Sequence, residues 1–144
     1  MRLSSLADYA IVMMCAAARH GDVRLSAATL SGETRVPLAT AQKLMQRLAS
    51  AGLLQSQRGA VGGFRLTRAP SAISLADIVE AIEGPIGLTT CVDPERHECA
   101  LDGHCQTKPH WGAVNAAVRG ALAGVSLAQL SAPVAARAPE LETQ

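Results

Sequence analysis

At 144 residues and a formal net charge of +1, the chain fits one compact domain with a helical extension, and overall charge alone names no partner. Hydrophobic residues make up 49% and aromatics only 2%, with alanine abundant, which favours closely packed helices over a β-sandwich. No apolar run is long enough to span a membrane and no signal-peptide cleavage site follows Met1-Arg2-Leu3-Ser4-Ser5, so the expected compartment is the cytoplasm, with no membrane partner.

Residues 3–20 predict one helix, closed by Gly21. Ile11 to Ala18 make it apolar on nearly every side, which predicts burial between two bodies. Asp8 and Tyr9 interrupt that surface, and Cys15 reads as a small buried hydrophobe. Residues 25–51 have a helix–turn–helix pattern. Ser26 caps a short helix over 27–31, Gly32 to Val36 turn the chain, and Pro37 opens a helix from Leu38 to about Ala51 that Gly52 stops. Leu38, Ala41, Leu44, Met45 and Leu48 share one face of a 3.6-residue period. The opposite face shows Ala39, Thr40, Gln42, Lys43, Gln46 and Arg47. Such a small, polar and basic surface can lie in a DNA groove, where Gln pairs with adenine and Lys or Arg reaches guanine or phosphate. The same pattern also describes an ordinary surface helix.

The next stretch of chain strengthens the nucleic-acid reading. Leu53 to Gln57 and Phe64 to Thr67 alternate as two strands around the turn Arg58-Gly59-Ala60-Val61-Gly62-Gly63. A hairpin directly after the second helix, with Arg58 and Arg65 at its tip and flank, can press on an adjacent minor groove. Gly62 lets backbone come close to phosphate. A nucleotide-binding loop is excluded because no Gly-Lys-Ser/Thr opens a helix there. Charge agrees: residues 24–68 hold seven basic side chains against Glu33 alone, whereas residues 69–110 hold seven acids against Arg96 and Lys108.

Ser74 caps a helix over 75–83, ended by Gly84-Pro85. Beyond it, Cys91, Cys99 and Cys105 are spaced C-x7-C-x5-C among Pro94, Gly103 and charged residues, a composition that breaks helix and strand alike. In a cytoplasmic chain such thiols are ligands for a metal ion or an iron–sulfur cluster, or redox thiols, rather than structural disulfides. A last long helix begins near Pro109, with Trp111, Val114, Val118, Ala121, Leu122 and Val125 on one face. That face needs a partner, and a homodimer is the economical answer for a protein that meets a palindromic double-stranded DNA operator. Ser126 caps a short turn over 127–130, and the tail is predicted to be disordered. No Ser/His/Asp grouping or pair of catalytic carboxylates stands out, so no enzyme is expected.

The opening Met1-Arg2-Leu3-Ser4 with Asp8-Tyr9-Ala10, the hairpin Arg58-Gly59-Ala60-Val61-Gly62-Gly63-Phe64-Arg65-Leu66-Thr67-Arg68, and Asp77-Ile78-Val79-Glu80-Ala81-Ile82-Glu83-Gly84 together resemble the Rrf2 family of winged-helix transcription regulators over about residues 1–132. Phe64 stands where the family usually has Tyr. Ile82-Glu83-Gly84-Pro85 leading into Thr90-Cys91, with Val125-Ser126-Leu127-Ala128-Gln129-Leu130, is most similar to members that govern SUF-type iron–sulfur assembly genes. The resemblance implies a mainly α fold with a small β-hairpin wing. It divides into a winged helix-turn-helix domain (1–83), a cysteine loop (84–108), a long dimerisation helix with a short terminal helix (109–131) and a tail (132–144). It also implies a 2Fe–2S or 4Fe–4S cluster on Cys91, Cys99 and Cys105. Some members complete the ligand set with a histidine three residues after the last cysteine, but that place here is Lys108. Others use an aspartate of the first helix from the partner subunit, a position matched by Asp8, whose alternative is a cap or an ion pair with Arg2 or Arg35. His97, His104 and His110 are weaker candidates. The implied DNA contacts are Arg35, Lys43, Arg58 and Arg65 to phosphate, Gln42 and Thr40 to bases, with Arg47 and Gly62 alongside. Zinc binding or a thiol switch in the same regulator, and an iron–sulfur carrier or electron-transfer protein, are the other readings the cysteines allow.

Overall fold

Serine side chains set four of the six α-helix starts among the described residues. Ser4, Ser26, Ser74 and Ser126 each accept a hydrogen bond from the backbone N–H three residues on, and Asp77 and Gln129 complete two capping boxes. Each cap is worth about 1 kcal/mol. The computed structural model describes residues 1–60, 62–96 and 98–134. Its elements are α1 (Ser5–Arg19), α2 (Ala27–Thr34), α3 (Leu38–Ser50), β1 (Leu54–Gln57), β2 (Gly63–Leu66), a 3-10 turn (Pro70–Ala72), α4 (Leu75–Glu83), α5 (Lys108–Ala123) and α6 (Leu127–Ser131). No helix among the described residues is long and apolar enough to cross a membrane. The tail residues 135–144 lie outside the described residues.

The core gathers around α1. Met13 and Met14 share one buried cluster with Leu30 of α2, Leu44, Met45 and Leu48 of α3, Ile73, Ile78 of α4 and Leu127 of α6, all of them fully buried. Each such side chain contributes about 1.5–3 kcal/mol of burial. The strands form an antiparallel hairpin with Leu54 opposite Leu66 and Gln57 opposite Gly63. Its second strand is stitched to the body: Leu25 and Phe64 exchange two backbone hydrogen bonds of 2.8 Å each. Gly63 makes this approach possible, since a Cβ there would lie 2.9 Å from the Leu25 carbonyl oxygen, and its φ of +137° is glycine backbone.

Some expectations change. The first half of α1 is not enclosed, because Leu6, Tyr9 and Val12 are exposed while burial is concentrated at Met13 to Ala17. Leu38 is 46% exposed, since it sits about 70° round the helix from the centre of the buried stripe. The short first helix of the pair runs on to Thr34, whose hydroxyl donates to the Leu30 carbonyl, and Arg35 then closes it in the left-handed conformation at φ 65°. On α5, Val114 and Ala121 face outward, and the half-buried line is Trp111, Asn115, Val118, Leu122.

Candidate nucleic-acid interface and cysteine loop

The exposed strip of α3 carries Ala39, Gln42, Lys43 and Gln46. Arg35 stands before it and Arg58 at the wing tip, both exposed. Among the described residues, no ion pair neutralises Arg35, Lys43 or Arg58. Three uncompensated cations around a small, polar helix face suit a phosphate backbone. An open groove between Ser26, Gln46, Ser50 and the wing continues this surface. Gln46 belongs to the helix face expected to meet DNA, one turn beyond Gln42, whereas Ser50 was not part of that expectation.

Other expected contacts have partners inside the protein. Arg47 donates from Nη2 to the Ile82 carbonyl at 2.7 Å, which ties α3 to the last turn of α4. Thr40 is half-buried on the same flank. Arg65 donates from Nε to Gln55 across the hairpin and lies 3.8 Å from Asp22. Gly62 has an internal reason to be glycine: a Cβ there would fall 2.3 Å from the Gln57 carbonyl oxygen and 2.8 Å from that of Gly59.

Cys91, Cys99 and Cys105 are free and half-buried. Local turns shape their segment, with Val92 N–H donating to Thr89, Arg96 to Asp93, Asp102 to Cys99 and His104 to Leu101. Thr89 Oγ1 lies 3.0 Å from Cys91 Sγ. At the start of α5, Lys108 pairs with Asp102. That hydrogen bond raises the ammonium's pKa, and the negative charge of Asp102 adds to the rise. Among the described residues, no three His, Cys, Asp or Glu side chains come together as a metal-ligand set. Asp8 is exposed on α1, in a shallow hollow with Arg2, Leu3, Ser4 and Ser5, and pairs with neither Arg2 nor Arg35. It is therefore not a carboxylate stranded in an apolar interior. His104 and His110 are exposed, and His97 lies outside the described residues. Cys15 is buried in α1, and desolvation pushes its thiol pKa up.

The chain has relatives along nearly its whole length. The profile of the Rrf2 family, described as an iron-dependent transcriptional regulator, matches residues 3–133. An HTH-type transcriptional regulator IscR from Aliivibrio salmonicida is 31% identical over 133 residues, covering 90% of this chain and 77% of the relative. Among solved structures, CymR, the global cysteine regulator of B. subtilis, superposes with a TM-score of 0.70 at 27% identity, covering 91% of this chain and 96% of CymR. IscR of T. potens gives 0.67 at 25% identity, covering 90% and 85%. These relatives are regulators rather than enzymes, and the helix pair with its hairpin is their winged helix. The chain belongs to the Rrf2 family of DNA-binding transcriptional regulators.

Proposed function

We propose that this regulator is a homodimer whose grip on its operator is set by an iron–sulfur cluster, 2Fe–2S or 4Fe–4S, held by Cys91, Cys99 and Cys105, and that it governs iron–sulfur assembly genes. Asp8 from the partner subunit is the proposed fourth ligand. The observation that carries the reading is a segment with three free, half-buried thiols directly after α4, whose last turn is hydrogen-bonded to α3. Soft thiolates are the donors such a cluster requires, so the residue types fit it. Gathering them requires residues 91–105 to fold on themselves, and the backbone hydrogen bonds of the described residues there, such as Arg96 to Asp93, Asp102 to Cys99 and His104 to Leu101, are local turns. A bound cluster would supply a cross-link that is lost on oxidation, reaction with nitric oxide or iron shortage.

The chain's own residues do the rest. Arg35, Lys43 and Arg58 neutralise phosphate, while Gln42 and Gln46 address base edges. Two copies meet two half-sites, so the spacing between their α3 helices sets affinity. Pairing through α5 is supported by its state in the single chain: sixteen residues, none of them buried. Its outward face of Ala113, Ala116, Ala117, Gly120 and Ala121 lets a second helix approach closely.

Purification without oxygen tests this, followed by iron and sulfide analysis and binding to a duplex selected from random-sequence DNA. The wild type is expected to be coloured, with iron and sulfide. Cys91→Ala, Cys99→Ala and Cys105→Ala are each expected to lose both, keep DNA binding, and lose its dependence on the cofactor. A cysteine variant that retains full colour overturns the ligand assignment. The likeness to CymR, whose relatives include a structure of an oxidized form, favours one second reading, a zinc or thiol sensor on the same loop. A colourless protein whose DNA binding responds to thiol oxidation selects it. A coloured protein that binds no duplex selects an iron–sulfur carrier.

A further inference from the structure

Between α4 and Cys91 the chain is fixed by side chains of two helices. Asn115 of α5 donates from Nδ2 to the Ile86 carbonyl at 2.9 Å and accepts from the Leu88 N–H at 3.0 Å. A carboxamide presents one donor and one acceptor as a peptide does, so Asn115 pairs with the backbone on both sides of Gly87. Beside it, the Glu80 carboxylate of α4 accepts two hydrogen bonds from Arg119 of α5, at 2.8 and 2.9 Å, and a longer one of 3.4 Å from Ile86 N–H. Three residues beyond Leu88 stands Cys91, joined to Thr89 by its thiol. On the other side of Gly84, the last turn of α4 is attached to the DNA-binding body at two points. Ile82 accepts from Arg47 of α3, and Glu83 accepts from the Ser4 N–H at the start of α1.

We propose that Asn115, with the Glu80–Arg119 pair, is the clamp through which a change at the cysteine segment reaches α4 and, through Arg47, the recognition helix α3. The proposal rests on the reading that the cysteine loop controls DNA binding, and it assigns the route. Asn115 is a positioning residue: its side chain is hydrogen-bonded to the backbone of Ile86 and Leu88. Released from Asn115, residues 86–88 keep, among the described residues, only the long hydrogen bond from Ile86 to Glu80. A change beyond Thr89 would then move this short segment without moving α4.

Hydrogen exchange on the full-length protein, before and after alkylating the loop cysteines with iodoacetamide, tests the route without cluster or operator. Cys15 is shielded by burial and stays unmodified. In the wild type, alkylation is expected to change exchange at residues 86–107 and, by about fivefold or more, at residues 75–83 and 38–50. In Asn115→Ala the change should be confined to 86–107. Asn115→Asp, which keeps the acceptor for Leu88 and loses the donor to Ile86, should fall between. Circular dichroism confirms that each variant keeps its helices, and Glu80→Gln provides a second break in the clamp should Asn115→Ala unfold. Transmission to α3 in both Asn115→Ala and Glu80→Gln, equal to wild type, overturns the clamp and leaves loop control standing. No transmission in the wild type itself overturns both.

Discussion

Single side chains divide the basic surface into two kinds. Lys43 projects from α3 with no partner among the described residues, whereas Arg47, one turn on, is bonded to Ile82. The two should therefore fail differently. Lys43→Ala is expected to leave the denaturant midpoint unchanged and to lower the slope of log affinity against log salt by about one. Arg47→Ala should lower stability by about 1 kcal/mol with little change in that slope, since it removes a hydrogen bond between helices. Denaturant titration and a salt series of DNA binding read both effects. The sequence could not separate the two residues. Both are basic and both lie off the apolar stripe; only the position of α4 against one flank of α3 decides. Gly62 is a similar case, as its motif reads as room for phosphate while its neighbours Gln57 and Gly59 already occupy the space a Cβ would take.

Among the elements, legibility follows how local the cause is. The starts of α2, α4 and α6 were readable because each depends on one serine and the three residues after it, and α4 occupies the predicted 75–83. The orientation of α5 was less readable, because its apolar residues are divided between α4 and the outside, with Asn115 turned inward to bond a loop. The junction of α4 and α5 has a measurable pH signature. The hydrogen bonds from Arg119 hold the Glu80 carboxyl below its usual pKa, against a smaller opposing effect of burial. A carboxyl depressed in the folded state stabilises fully above its unfolded pKa of about 4.3, and that contribution is lost as pH falls through the lower folded value. Wild type is thus expected to lose more thermal stability than Glu80→Gln between about pH 5 and pH 3, measured by melting across that range. Equal losses would mean that the bidentate pair contributes nothing to docking in solution.

For the whole molecule, the fold and family were legible and the arrangement of the thiols was not, since spacing along a chain does not fix distances across an irregular loop. The proposed pairing through α5 has a direct test. Ala117→Arg puts a long cation on the outward small-residue face, and sedimentation should show a monomer. Operator affinity should fall by at least about 100-fold, because two half-sites are no longer met as one event. Past α5 the chain returns to the body: Leu75 N–H donates to the Val125 carbonyl, Leu127 N–H donates to that of Ile73, and Leu127 is fully buried. The rod is hence fastened beyond its far end by backbone and about its middle by Asn115 and Arg119. These ties couple any displacement of the rod to α4 and to the segment before Cys91. In a two-fold pair that shares this rod as its seam, one roll turns both halves together, so the dimer would answer in concert to a disturbance on either side.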